Sequence, residues 1–233
     1  MRTAGEVEVS GELGLRVIRG GDEPATSVPA RPLNLEEVVR YGCPQKGLPE
    51  DVNRWRRRNA KNLMRGARKL ALARLLKLPH FYGQLSLVHI KADGSWVDLG
   101  LASQRVVTTV GGGYIVDAWQ NSVELENMKY HGIGTGGTAE AVGDTALVTE
   151  STTALNPDST RATGSTTEAS ALVFRTVGTN LVDGAVACTE HGIFSQAATG
   201  GGVLMDRTLF TVVNLASADS LQTTYDFTIV AGS

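Results

Sequence analysis

The residues best able to do chemistry are few and scattered. His80, His89, His131 and His191 are the four imidazoles. None lies in an H-E-x-x-H helix or beside a cysteine, so a metal centre would have to be assembled by the fold. His131 and His191 share a context, KYHGIG and TEHGIF, which points to related structural positions in a β architecture, or to an interface, rather than to an acid–base pair. Cys43 and Cys188 are 145 positions apart and read as free thiols. There is no G-x-S-x-G elbow and no Gly-Lys-Ser/Thr phosphate loop. Gly132-Ile-Gly-Thr-Gly-Gly137 fits G-x-G-x-x-G, but Glu150 follows 13 residues later, against about 20 in dinucleotide folds, and threonine-rich strands come next. The better reading is a glycine turn joining strands. Acid pairs such as Glu36/Glu37 and Glu124/Glu126 suit helix surfaces. The expectation is a protein with no catalytic residue, no metal and no cofactor.

The strongest single feature is electrostatic. Net charge is only −2, yet Arg54 to Lys77 holds ten Lys/Arg and no acid. The remainder therefore carries 12 basic against 24 acidic residues, near −12. Arg54, Arg56, Arg57, Arg58, Lys61, Arg65, Arg68 and Lys69 are the candidate docking residues. They could meet the carboxylates of the acidic sandwich itself or of a partner subunit, which we favour, or the phosphates of a nucleic acid, where binding would weaken with salt. A membrane surface fits less well, since Trp55 is the sole aromatic of the segment.

The elements that position these residues follow from pattern. Five of the seven prolines fall in the first 50 residues, so residues 1–48 read as an extended arm. Within it EVEVSGELGLRVIR could add a strand to a sheet, and Asn34 with Glu37 caps one short helix that ends near Gly42. Residues 49–79 read as a long basic amphipathic helix started by Pro49, Glu50 and Asp51 and stopped by Pro79. Its expected apolar stripe is Ala60, Leu63, Met64, Ala67, Ala71, Leu75 and Leu78, with a bend or fraying expected at Gly66. Residues 80–233 read as an antiparallel β-sandwich, jelly-roll-like, with an Asp93-Gly94 hairpin and one helical interruption near 113–123. In the last strand, TTYDFTIVA, the expected buried face carries Tyr225, Phe227 and Ile229, with Thr224, Asp226 and Thr228 opposite. The fold class is thus mainly β. No stretch approaches the roughly 18 apolar residues of a membrane span, and MRTAGEVEVS carries acid where a signal peptide is apolar, so a soluble chain is expected.

KYHGIGTGGTAEAVGDTALVTE, EHGIFSQAATGGGVLMDRTLF and SLQTTYDFTIVAGS, spanning about 105–233, resemble virion structural proteins of tailed bacteriophages. These are β-sandwich proteins of head decoration (cement) and tail-associated components. The resemblance implies a non-enzymatic assembly protein on the virion, with the capsid surface as its place. Its implied partners are the major capsid protein and further copies of itself, as a dimer or trimer. A tail or fibre-attachment component and a nucleic-acid-binding protein are the alternatives.

Overall fold

A computed structural model of the chain describes residues 23–76, 80–124, 126–151 and 160–230. The strand expected in EVEVSGELGLRVIR, and Leu78 of the expected helix, lie outside those residues. In chain order come helices α1 (Leu35–Gly42) and α2 (Glu50–Leu75), strands β1 (His80–Ile90) and β2 (Trp96–Val106), and helix α3 (Thr109–Trp119). Strands β3 (Tyr130–Gly134), β4 (Ala162–Thr163), β5 (Ser165–Ser170), β6 (Val173–Leu181), β7 (Val186–Phe194), β8 (Leu204–Leu215) and β9 (Ser220–Val230) follow. The fold is mainly β. One antiparallel sheet has the order β2-β1-β9-β6-β5 and the other β4-β3-β7-β8. Side chains from both sheets meet in one core that includes Leu85, Leu87, Ile133, Cys188, Phe210 and Leu221.

Local rules start the elements. The Asn34 side chain accepts from the Glu37 N–H at 2.9 Å while the Glu37 carboxylate accepts from the Asn34 N–H at 3.0 Å, a complete capping box. Asp93-Gly94 turns β1 into β2, with Gly94 in the left-handed region at φ 80°. Helix α3 begins four residues before the expected interruption. Thr108 caps it by accepting from the Gly111 N–H at 3.0 Å, and the missing Cβ of Gly111 lets the first turn lie on Met205.

Helix α2 lies where edge strand β2 of one sheet approaches edge strand β8 of the other. An edge strand leaves backbone groups unpaired, and burying them unpaired costs about 1–3 kcal/mol each. The helix supplies the partners. Asn59, fully buried, donates to the Ala102 carbonyl of β2 at 2.8 Å and accepts from the Thr211 N–H of β8 at 3.0 Å. Trp55 Nε1–H donates to the Thr211 carbonyl at 2.9 Å. This task rotates the helix away from the stripe expected of its apolar residues. The buried line is Val52, Trp55, Arg56, Asn59, Leu63, Ala67 and Leu70, whereas Leu75 is 78% exposed. Nor does the helix break at Gly66, since it runs from Glu50 to Leu75. A Cβ there would fall on the Gln104 carbonyl oxygen of β2, so glycine permits the closest approach of helix to strand.

Of the expected arm, residues 23–48 are packed. Val28, Leu33 and Val38 join Leu63, Ala67 and Leu101 in a second, smaller core on the outer side of the five-stranded sheet. Tyr225 of β9 is buried as expected, but that covering buries the opposite face as well. Thr224, Asp226 and Thr228 are buried, while Ile229 on the apolar face is 40% exposed. The covered polar face is a ladder across four strands. Gln104 donates to Gln84 at 3.0 Å, and Arg175 holds Asp226 in two contacts of 2.6 and 2.9 Å. Arg175 also donates to the Val28 carbonyl at 3.2 Å, which ties the packed segment to the sheet.

Gly66→Ala tests the seating of the helix. At an exposed helix position this change stabilises by about 1 kcal/mol. Here it should destabilise by about 1–3 kcal/mol through overpacking against Gln104. Urea unfolding reads the sign directly, and an increase in stability would show that the helix does not press on β2 at this point.

Candidate docking surface

The exposed side of α2 carries Arg54, Arg57, Arg58, Lys61, Arg65, Arg68 and Lys69. Arg54, Arg58, Lys61, Arg65 and Arg68 recur at alternating steps of four and three, so they form one stripe along about 22 Å of helix at 1.5 Å per residue. Arg57 pairs with Glu50; the other six make no ion pair among the described residues. Like charges at these spacings repel by about 0.2–0.5 kcal/mol per pair. The stripe therefore opposes helix stability, and the helix persists because its other side is bolted to both sheets.

Arg56 departs from the expected docking set. It is 4% exposed, its Nε–H donates to the Leu99 carbonyl of β2 at 3.0 Å, and its Nη1 reaches the Cys43 carbonyl at 3.5 Å. Burial lowers its pKa from the ordinary guanidinium value. This cation closes the β2 edge and is not available to a partner.

The remaining chemistry-bearing residues are occupied inside the fold. His131 on β3 and His191 on β7 are brought together, Nδ1 to Nε2 at 3.1 Å. Thr176 Oγ1 lies 3.0 Å from His131 Nε2, and Thr223 Oγ1 lies 2.7 Å from its Nδ1. Gly164 and Gly178 leave the space that the His131 ring fills. Both rings are fully buried, and burial drives the His131 pKa to about 3 and that of His191 well below its ordinary value. They are neutral core imidazoles. Burial likewise pushes the Cys188 thiol up to about 12 and raises that of Cys43, so neither supplies a ready thiolate. Among the described residues no group of three or more His, Cys, Asp or Glu could hold a metal ion, and no helix is long and apolar enough to cross a membrane.

The G-x-G-x-x-G segment packs against a carboxylate of the chain's own and gives it one hydrogen bond, from Gly136 at an x position of the motif. Gly132 and Gly134 lie on β3, and among the described residues no helix follows Gly137. The Glu190 carboxylate accepts from the N–H groups of Gly136, Val148 and Thr149 at 3.0, 3.1 and 2.8 Å, and from Arg207 Nε at 2.8 Å. A side chain at Gly134 or Gly136 would collide with Glu190. Arg207 also holds Asp144 at 3.0 Å, and Arg161 holds Glu150 at 2.6 Å while lying 3.3 Å over the Phe194 ring. Sequence reading did not single out Glu190, Arg207 or Arg161. Their signal was present as charged residues inside runs that otherwise read as buried strand.

The histidine pair makes stability pH-dependent. An unfolded imidazole takes up a proton near pH 6.5, whereas the folded one resists until about pH 3. The stabilisation is complete above pH 6.5 and is lost as pH falls below it, by about 1.4 kcal/mol per pH unit for each histidine. Asp206, which burial raises to about 6, opposes this fall below that pH. Unfolding free energies measured between pH 7.5 and 5 should therefore decline, and His191→Leu should decline less steeply. Equal slopes would show that the pair does not govern the acid limb. Comparison with known protein families, with curated proteins and with solved structures finds no match to this chain.

Proposed function

We propose that this is a non-enzymatic structural protein of a tailed-phage virion, a capsid decoration protein that adheres to the shell through the cationic side of α2. The observation that carries the reading is the stripe of cations with no ion-pair partner among the described residues, held outward on a helix whose inner side is fixed to both sheets. In support, KYHGIGTGGTAEAVGDTALVTE, one of the three stretches that resemble phage virion proteins, is held in place by Glu190, Arg207 and Arg161. On this reading the two sheets are the faces of a sandwich of the jelly-roll kind. Docking brings the acidic surface of the major capsid protein against the stripe, relieves the repulsion among like charges, and links neighbouring shell subunits with no bond chemistry.

One observation also suits a second reading. The same free cations could neutralise phosphates, making the protein a nucleic-acid binder. A further alternative keeps the virion but moves the site to a tail or fibre attachment.

The test reverses Arg58, Lys61, Arg65 and Arg68 to Glu, all exposed, in a protein whose circular dichroism and melting are unchanged. Occupancy on purified heads should fall at least tenfold, about 1.4 kcal/mol. Undiminished occupancy would remove the helix from the mechanism. Label gathering on tails would select the attachment reading, and salt-sensitive DNA binding abolished by the same reversals would select the nucleic-acid one.

A further inference from the structure

Four strands form the outer edges of the two sheets, and three of those edges are closed or too short to extend. Helix α2 seals β2 through the Leu99 and Ala102 carbonyls and β8 through Thr211, while β4 is only two residues long. The fourth, β5, is open. It pairs with β6, and among the described residues no strand pairs with its other side. Every residue of it but Ala169 is exposed. Its sequence, STTEAS, holds no proline and no lysine to guard the edge, and Ser165 to Glu168 pair with Val177 to Phe174 in unbroken register. Such an edge is a template for an added strand. The sheet face beside it is also uncovered. Phe174 lies opposite Glu168 of β5 and Phe227 of β9, and with Leu172 and Ile229 these residues line an apolar groove of about 310 Å³. Leu172 is 53% exposed.

The chain itself supplies a matching occupant. In EVEVSGELGLRVIR, residues 6–19, Val7, Val9, Leu13, Leu15 and Val17 alternate with Glu6, Glu8, Glu12 and Arg16, the period of a strand that keeps one face for hydrocarbon. Where the described chain begins decides which copy donates it. The packed arm meets Arg175 of β6 at Val28 and then, toward its N-terminus, Asp98 of β2 at Ser27 and Thr26. It leaves on the β2 side of the sheet, four strand spacings, about 19 Å, from β5. A return to its own β5 would recross the layer that Val28, Leu33 and α1 already build on that face, whereas the β5 edge of a neighbouring copy is reached without that detour. Donor and acceptor at opposite edges of one sheet make a head-to-tail contact, which forms a ring where the rotation closes. We propose that residues 6–19 of one copy add a strand to β5 of the next, with their valines and leucines over the groove. The exchange goes beyond the docking reading and uses none of the α2 cations.

Sedimentation velocity of the full chain should show association that grows with concentration. Over the same range, hydrogen–deuterium exchange of residues 6–19 and 165–170 should slow together, at least tenfold. Two variants separate the roles. Val9→Pro with Leu15→Pro makes a copy that accepts without donating, and Ser165→Lys with Thr167→Lys makes one that donates without accepting. Each alone should stay monomeric, with the melting of the diluted parent, and their mixture should pair and stop at a dimer. Slow exchange of both segments at every dilution, without association, would place the strand on its own copy and overturn the proposal. A monomer with β5 open at every concentration would overturn it too, as would an oligomer indifferent to both variants. A chain that exchanges in this way and ignores heads would sustain the exchange and sink the docking reading. A monomer that occupies heads would do the reverse.

Discussion

Asn59 donates to the backbone of one sheet and accepts from the backbone of the other, and the architecture turns on that bridge. Two sheets that share a core still present edges, and β2 and β8 come close enough for their unpaired groups to need dry partners. Trp55, Arg56 and Asn59 provide them from consecutive turns of one helix. Because these residues point inward, the arginines and lysines at the intervening positions point outward. The charged face is therefore a geometric consequence of sealing the seam. An apolar helix in the same place would bury more hydrocarbon and leave the strand edges unsatisfied.

The same logic explains why the protein buries so many polar groups. Replacing a buried ion pair by hydrocarbon often costs nothing, but removing one member leaves an uncompensated charge. Such pairs constrain arrangement more than they add stability. Glu190 and Arg207 define where the 135–150 loop lies on the second sheet. The Gln84–Gln104 and Arg175–Asp226 contacts fix which segment covers the first. In each case the backbone of an irregular stretch finds its hydrogen bonds in side chains of a strand, which is what a loop needs if it is to be part of a packed body.

Where the determinants are local, they were readable in the sequence. The Asn34 cap, the Asp93-Gly94 turn, the helix starting at Pro49 and the run Val186–Phe194 depend on neighbours within a few positions. What was not legible depends on partners far along the chain. The polar face of β9 is buried because residues 26–33 fold over it, and nothing in TTYDFTIVA announces that. Gly66 looks like a helix weakness until Gln104 lies against it. Arg56 is chemically identical to Arg57 and Arg58, and only the Leu99 carbonyl distinguishes it. Of the glycines of 132–137, Gly134 and Gly136 leave the room that a carboxylate fills, and the Gly136 N–H, at an x position of the motif, donates to it. The sequence could not reveal that Glu190 supplies it.

In the proposed docking role, the cationic stripe would act from a rigid support. A charged segment that orders only on contact must offset the loss of backbone freedom, about 1–2 kcal/mol per residue. In α2 that cost is already met in folding, by burial of Leu63, Ala67 and Leu70 and by the bonds to β2 and β8. What remains to be ordered is a set of long side chains held in mutual repulsion. An acidic surface that accepts them gains the attraction and also relieves that repulsion, so the free state is raised relative to the bound one. The self-opposing charge pattern that makes the helix a poor independent folder is thereby what favours its engagement, provided the inner face keeps it in place.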